Sequence, residues 1–219
     1  MNYPVKRVGT RALIVDLPDL KTVMDFYAAL SASPLEHQTD VVAAARTVLV
    51  TFDSPTATTN AVDVLAGYSP AAADMGTPRD IDIDVRYDGE DVDALATSLG
   101  MSPRELIEWH TSTTWVAAFG GFAPGFTYCV PEDASRALTI PRRDSPRTAV
   151  PAGAVALAGE FSAVYPRTSP GGWQLIGTTA TPMWDSTATP PALVAPGDRV
   201  HYRAADTLPA DTQTARKHL

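Results

Sequence analysis

The chain has 219 residues, of which 45% are hydrophobic and 19% are charged, a composition typical of a globular protein with one large or two small cores. A formal net charge of −8, without a basic run, argues against binding to nucleic acid or to an anionic membrane. The one cysteine, Cys129, allows no internal disulfide. The first residues contain no signal-peptide core, so we expect a cytosolic protein.

The first 85 residues predict an α+β domain. Residues 4–9 and 11–16 favour two short strands, and "DLKTVMDFYAAL" favours a helix with Asp19 as its N-cap. The runs "VVAAA" and "TVLVTF" predict a hairpin, followed by a helix at 57–66 and a strand at "DIDIDVRY". This ββαββαβ order predicts a ferredoxin-like domain over residues 1–85.

Two helices are predicted next. "GEDVDALATSLG" has acidic residues in its first turn and a glycine just past its end. "SPRELIEWH" has the pattern of a capping box, with Ser102 as N-cap, Pro103 at the first helical position and Glu105 three residues after the cap. The second helix should end near His110 or Thr111.

From residue 115 onward the chain predicts β structure. Short apolar runs such as "TTWVAAF", "AVALAG" and "WQLIG" alternate with glycine and proline. Such spacing is typical of a β-barrel or a sandwich. We assign residues 86–219 to a second domain built mainly from this barrel.

Most familiar catalytic motifs are missing. No G-x-S-x-G elbow supports a serine hydrolase, and no P-loop or Rossmann glycine motif is present. The histidines are dispersed and no C-x-x-C occurs, so no dedicated metal site is predicted. Cys129 lies between Tyr128 and Val130, which favours a packed structural thiol over a nucleophile.

Two loops carry groups that could bind a ligand. "PRRDSPR" presents Arg142, Arg143 and Arg147, which suit capture of a carboxylate or phosphate. The alternative is that these arginines pair with acidic residues of the chain. "SPGGWQLIG" combines two glycines for close backbone approach with a stacking indole and an amide, in the order Gly171, Gly172, Trp173 and Gln174. Its alternative is a glycine bulge beside a core tryptophan.

A third segment, "GGFAPGFTY" at 120–128, has no charge and several aromatic residues. It is either a tight turn or a surface that holds a substrate. His110 precedes it at the end of a helix. A cationic imidazole there would complement the helix dipole, or it could serve as an acid, a base or an orienting group near this loop.

These segments together resemble one family. The order "SPRELIEWHTS", "GFAPGFTY", "IPRRDSPRTAVPAGAVALAG" and "VYPRTSPGGWQLIG" is similar to that of allophanate hydrolase subunit 1, a family that is also called the KipI type and that includes the B-type subunit of 5-oxoprolinase. The resemblance extends to "GTRALIV" and "ARTVLVTFDSP", so it covers nearly the whole chain. It implies a ferredoxin-like N-terminal domain and a C-terminal cyclophilin-like β-barrel.

The resemblance also implies an activity and partners. Such proteins act with a KipA-type or subunit 2-type partner and, with a LamB/YcsF-type subunit, form an ATP-dependent 5-oxoprolinase in which ATP with Mg²⁺ is a co-substrate. Two alternatives stay open: a KipI-like inhibitor of a sensor histidine kinase, and a subunit of an allophanate or urea amidolyase.

Applied to this chain, the resemblance suggests roles for the residues of these loops. His110, Arg147 and Gln174 are the candidate catalytic residues. The candidate residues for binding substrate or nucleotide are Phe122, Pro124, Gly125, Phe126, Tyr128, Arg142, Arg143, Gly171, Gly172 and Trp173.

Overall fold

The computed structural model describes residues 2–70 and 77–207. Its contacts divide the chain into two compact units, with the division between Thr77 and Pro78. In the described ranges, no helix is long and apolar enough to cross a membrane. The end of the predicted second domain, residues 208–219, lies outside the described residues.

The first unit is a four-stranded antiparallel sheet with two helices. Its elements are β1 (Val5–Val8), β2 (Ala12–Asp16), α1 (Leu20–Ala32), β3 (Gln38–Ala43), β4 (Thr47–Phe52) and α2 (Pro55–Ala66). The strand order is β1-β2-β4-β3, and each neighbouring pair is antiparallel. Strands β2 and β3 are therefore parallel to each other, with β4 between them and α1 as their connection, which is a split βαβ arrangement.

Local side-chain contacts start both helices of this unit. The Asp19 side chain accepts a hydrogen bond from the Thr22 N–H, which confirms Asp19 as the predicted N-cap. Ser54 does the same for α2 by accepting from the Ala57 N–H, ahead of a proline at the first helical position. Such caps satisfy N–H groups that the helix itself leaves unpaired.

The last strand predicted for the N-terminal domain belongs to the second unit instead. Strand β5 (Asp80–Val85) pairs in parallel with β13 (Arg199–Ala204). Its apolar face, Ile83 and Val85, is buried in the core of the second unit. The predicted boundary at residue 85 therefore falls after the division that the contacts show. Alternation with period two identifies a strand but not the strand with which it pairs.

The second unit contains two helices and nine strands in its described part. After β5 come α3 (Val92–Ser98), α4 (Pro103–Ser112), β6 (Trp115–Gly120), β7 (Thr127–Pro131), β8 (Arg147–Val150), β9 (Ala154–Ala158), β10 (Phe161–Val164), β11 (Ser169–Gly171), β12 (Gln174–Thr178) and β13. The capping box predicted at the start of α4 is present, with Ser102 and Glu105 bonded to each other's backbone N–H groups.

Seven of these strands form one sheet in the order β12-β9-β10-β7-β6-β13-β5. A bridge between Arg86, which follows β5, and Thr178, which ends β12, links its two edges. The sheet is therefore a nearly closed barrel, as predicted for the C-terminal part. Strands β8 and β11 form a separate two-stranded ribbon.

Strand β9 is buried on both faces. Val155 and Leu157 point into the inner cluster, an apolar core to which all seven strands of the barrel contribute. Ala154, Ala156 and Ala158 belong to a second, outer cluster that also contains Phe126, Tyr165 and Trp173. Because neighbouring side chains of a strand point to opposite faces, this outer cluster covers the outside of the barrel wall.

Candidate functional site

Two of the three arginines in the arginine loop, residues 141–147, are bound to acidic side chains. Arg143 Nη1 lies 2.5 Å from Asp91 Oδ1. Arg147 Nη2 lies 2.9 Å from the same oxygen and 3.0 Å from Glu90 Oε2. Arg143 and Arg147 therefore pair with acidic residues of the chain, which is the alternative to binding a ligand anion.

Asp91 is a buried anchor that the sequence did not single out. Its Oδ2 accepts a hydrogen bond of 2.7 Å from the Leu175 N–H, and its own N–H donates to the Leu175 carbonyl oxygen at 3.1 Å. Burial raises the pKa of the Asp91 carboxyl, but hydrogen bonds from Arg147 and Leu175 and the charges of both arginines outweigh burial and hold this pKa below its ordinary value. Asp91 is therefore an anion at neutral pH.

Further hydrogen bonds fasten the arginine loop to the "SPGGWQ" segment. Gln174 Nε2 donates to the Pro141 carbonyl oxygen at 2.9 Å, and the Arg143 N–H donates to the Gly172 carbonyl oxygen at 2.8 Å. These contacts give Gln174 and Gly172 a structural role. The irregular pairing between Ser169 and Gly171, next to buried Trp173, agrees with the alternative of a glycine bulge beside a core tryptophan. A surface cleft of ≈ 470 Å³ lies between the loop, Gln174 and helix α3.

Arg142 is the arginine of the loop that no carboxylate neutralises. It is exposed, and none of the ion pairs of the described residues includes it. Its charge acts on the hydroxyls of Tyr128 and Tyr165. The loop therefore holds one free positive charge beside two tyrosines of the barrel's outer face.

Those tyrosines belong to the outer aromatic cluster, which we define as Phe122, Phe126, Tyr128, Tyr165 and Trp173. The Phe126 ring lies at its centre and makes edge-to-face contacts with Tyr128 at 5.0 Å, Tyr165 at 5.2 Å and Trp173 at 5.5 Å between ring centroids. Edge-to-face packing is the favoured geometry of aromatic pairs. The "GGFAPGFTY" and "SPGGWQ" segments thus meet in one cluster.

A strained turn presents the outermost ring of this cluster. Phe122 has a backbone φ of +66°, which is unusual for a residue with a side chain, and it remains 59% exposed. Gly125 follows at a φ of +81°. A Cβ on Gly125 would lie 2.9 Å from the Met183 carbonyl oxygen, so this position requires glycine. Exposed Pro124 completes the turn.

His110 lies in the inner cluster instead of beside the "GGFAPGFTY" loop. It is fully buried and its ring stacks on Tyr202 with centroids 4.3 Å apart. Its Nδ1 lies 2.7 Å from the Tyr87 hydroxyl oxygen, and its Nε2 lies 2.9 Å from the Ser162 hydroxyl oxygen. Burial lowers the pKa of His110 to about 3.

This placement conflicts with both sequence-based hypotheses for His110. A neutral imidazole cannot act as a cationic helix cap. A ring enclosed by the barrel, with both nitrogens occupied, is also poorly placed to exchange a proton with a ligand. Cys129 is similarly buried, and burial raises the pKa of its thiol to about 12, in keeping with a packed structural residue.

The structure thus brings together most of the predicted binding residues, and of the predicted catalytic ones it places Arg147 and Gln174 at the arginine loop but His110 inside the barrel. Gly171 lies against this cluster, since a Cβ at position 171 would be only 2.2 Å from the Tyr165 hydroxyl oxygen. Tyr165 was not among the predicted site residues, although it lies in the motif "VYPRTSPGGWQ". Within residues 2–70 and 77–207, no group of three or more His, Cys, Asp or Glu side chains is arranged to hold a metal ion.

Comparison with protein families matches residues 3–194 to the carboxyltransferase domain, subdomain C and D. Two curated relatives are each named as the B-type subunit of 5-oxoprolinase. The Escherichia coli protein is 42% identical over 129 residues, which make up 57% of this chain and 57% of that protein. The Bacillus subtilis protein is 40% identical over 127 residues, or 57% of this chain and 52% of that protein. The matches therefore span about half the length of these relatives.

Two solved structures resemble nearly the whole chain. The crystal structure of TTHA0988 superposes with a TM-score of 0.73 at 30% identity, and the match covers 92% of this chain and 41% of that one. The K. lactis urea amidolyase superposes with a TM-score of 0.71 at 15% identity, over 93% of this chain and 15% of that one. The second likeness shows a shared fold alone.

Proposed function

The chain belongs to the family of the carboxyltransferase domain, subdomain C and D, and from this membership we propose that it is one subunit of a 5-oxoprolinase-type hydrolase. The observation that carries the proposal is its similarity to two proteins that are named as 5-oxoprolinase subunits of the B type. In net balance the reaction consumes two waters: one opens the cyclic amide of 5-oxoproline to give glutamate, and the other converts ATP to ADP and phosphate.

The chemistry of the outer aromatic cluster supports this proposal. A lactam amide resists attack by water, and phosphorylation of its oxygen makes its carbon electrophilic. A site for this reaction needs a cation for the substrate carboxylate, a polar group at the amide and protection from water. Arg142 supplies the free charge, and the rings packed around Phe126 supply an apolar wall.

ATP with Mg²⁺ belongs to the proposed reaction, but the arginine loop has little with which to hold it. A triphosphate is normally bound by several cationic or backbone N–H groups. Arg143 and Arg147 are already paired with Asp91, which leaves Arg142 as the available cation of the loop. We therefore assign ATP to the partner subunits, of the KipA or subunit 2 type and the LamB/YcsF type, and the cyclic amide to this chain.

We also interpret the two units as the ferredoxin-like domain and the cyclophilin-like barrel that the family resemblance implies. The split βαβ arrangement in the sheet β1-β2-β4-β3 supports the first interpretation. The nearly closed seven-stranded sheet, with β12 and β5 linked through Arg86 and Thr178, supports the second.

The test is release of phosphate from ATP that depends on 5-oxoproline, measured with the purified chain alone and with both partner subunits. We expect turnover only from the complete set, and a large loss of turnover when Arg142→Gln replaces the wild-type chain. Arg104→Gln is the matched control, because Arg104 is exposed and pairs with Glu108 on its own helix. It should leave turnover unchanged.

Other outcomes would favour the alternatives. Turnover of allophanate but not of 5-oxoproline by the complete set would replace the proposed substrate. Inhibition of a sensor histidine kinase by the chain, with no 5-oxoproline-dependent turnover by the complete set, would replace the enzymatic role with a regulatory one.

A further inference from the structure

Inside the barrel, the buried polar groups of the aromatic residues have partners. The Trp115 indole N–H donates to the His110 carbonyl oxygen at 3.0 Å, and the Trp109 indole N–H donates to the Arg136 carbonyl oxygen at 3.0 Å. The Tyr87 hydroxyl is bonded to His110, and the Tyr202 hydroxyl is bonded to Ser162. This is the usual condition of polar groups in a protein interior.

The outer aromatic cluster differs in this respect. Tyr165 is 2% exposed and Trp173 is 4% exposed, yet neither the Tyr165 hydroxyl nor the Trp173 indole N–H has a hydrogen-bond partner among the described residues. The same holds for the hydroxyl of half-buried Tyr128. These side chains are therefore packed by their apolar parts alone, and their donors remain unused by the fold.

The fold does not fully enclose the unused donors. Among the described residues, the one side-chain polar atom that is both fully enclosed and unpaired is Arg143 Nε. The polar atoms of Tyr165 and Trp173 are therefore in contact with the surface, although the rings that carry them are held rigidly by packing. Rigid donors at the edge of an apolar cluster are the arrangement expected of a site for a ligand that accepts hydrogen bonds.

The charges around these donors select an anionic ligand. The charged side chains that act on the Tyr165 hydroxyl are Arg142 and Arg147, and Arg142 acts also on Tyr128. No carboxylate is among the causes of the pKa shift of either hydroxyl. Because Asp91 and Glu90 already bind Arg147, Arg142 is the cation free to bind a ligand carboxylate.

The protonation of Tyr165 fits a role as donor. Burial and the neighbouring Tyr128 hydroxyl raise the pKa of Tyr165 and outweigh the opposite effect of the two arginines. Its hydroxyl therefore keeps its proton at neutral pH. A Cβ at position 171 would lie 2.2 Å from this hydroxyl oxygen, so glycine there lets the hydroxyl keep its position. A carbonyl oxygen of a ligand is a suitable acceptor for its proton.

We propose that Arg142, Tyr165 and Trp173 form a binding site for a small, flat ring that carries both a carboxylate and an amide carbonyl. Arg142 binds the carboxylate, the Tyr165 hydroxyl donates to the amide oxygen, and the Trp173 indole N–H donates to either acceptor. Phe126 and Phe122 pack against the apolar edge of the ring. The choice of 5-oxoproline as this ring rests on the proposed function, whereas the pattern of donors does not.

Calorimetric titration of the purified chain with three five-membered rings tests each role. The probes are 5-oxoproline, 2-pyrrolidinone, which lacks the carboxylate, and cyclopentanecarboxylate, which lacks the amide. We expect the wild-type chain to bind 5-oxoproline at least about tenfold more tightly than either analogue, since each analogue leaves one donor unpaired.

Two substitutions should remove these preferences separately. Arg142→Gln should weaken 5-oxoproline binding about 10- to 100-fold and abolish its advantage over 2-pyrrolidinone. Tyr165→Phe should weaken 5-oxoproline binding about tenfold and abolish its advantage over cyclopentanecarboxylate. Arg104→Gln should leave all three affinities unchanged. Melting temperatures near that of the wild-type chain would show that the variants are folded.

The outcomes separate this inference from the proposed function. If both variants keep the wild-type preferences, or the wild-type chain binds none of the rings, the site assignment is wrong. If the complete set of subunits turns over 5-oxoproline with the same KM in the wild-type and both variant forms, the function stands and the site assignment fails. If the preferences change as expected but the complete set has no turnover, the site stands and the proposed function fails.

Discussion

Arg143 donates from Nη1 to Asp91 Oδ1 at 2.5 Å, and this contact makes a loop anchor out of a residue that the sequence presents as a candidate for anion binding. Arg147 binds the same oxygen from the other end of the loop. The two arginines fix the loop to the barrel through one buried carboxylate. Arg142 precedes Arg143 in the same loop and remains free.

Replacement of Asp91 tests this anchoring. Asp91→Asn should lower the free energy of unfolding by roughly 1–3 kcal/mol, because it leaves two arginines without their shared carboxylate. The loss should fall toward the lower end, because Arg143 is partly exposed and solvent screens its charge. Urea denaturation measures it, with Asp93→Asn on the exposed face of the adjoining helix as control. Equal stability of the two variants would contradict the anchoring role.

Replacement of a tyrosine by phenylalanine should have different effects beside the inner cluster and in the outer aromatic cluster. Tyr87→Phe should cost about 1–2 kcal/mol of unfolding free energy, because it leaves the buried Nδ1 of His110 without its partner. Tyr165→Phe should change this free energy by less than about 0.5 kcal/mol, because its hydroxyl has no partner to lose among the described residues. Chemical denaturation of both variants checks the contrast. A larger loss for Tyr165→Phe would show that its hydroxyl is structural.

Two adjacent glycines offer a matched steric test. A Cβ on Gly171 would lie 2.2 Å from the Tyr165 hydroxyl oxygen, whereas a Cβ on Gly172 would lie 3.5 Å from Pro146 Cβ. Gly171→Ala should therefore displace the Tyr165 side chain and weaken 5-oxoproline binding about tenfold or more. Gly172→Ala should retain wild-type affinity. Equal affinities in calorimetric titration would show that the position of the Tyr165 hydroxyl does not matter for binding.

His110 should resist protonation. Its pKa is lowered to about 3 in the folded protein, whereas the unfolded chain should titrate near about 6.5. The unfolded state therefore binds a proton at a higher pH than the folded state does. As the pH falls below about 6.5, this difference lowers the free energy of unfolding by up to about 1.4 kcal/mol per pH unit. The contribution of His110 to stability is complete above that pH and is lost as the pH approaches 3.

NMR titration of the histidine rings checks this directly. Between about pH 7 and pH 5, the His110 resonances should stay constant. A midpoint for His110 near about pH 6.5 would show that the barrel interior admits water or a counter-ion to this ring.

Features of the molecule that depend on neighbours in sequence were predictable from the sequence. The capping box of α4 involves Ser102 and Glu105, three residues apart, and its hydrogen bonds need no other part of the chain. Asp19 caps α1 in the same local way. The alternation in "DIDIDV" likewise identified strand β5, because it reports only that one face is buried.

The tertiary structure alone decided the partners of these elements and the roles of the arginines. Strand β5 pairs with β13 from a distant part of the sequence, where Asp80 faces Arg199, and Asp91 reaches Arg147 across a separation of 56 residues. Periodicity carries no information about such partners. The loop sequence shows that three arginines are present, but only the fold determines that two of their charges are bound and that Arg142 lies free beside unpaired donors of the outer aromatic cluster.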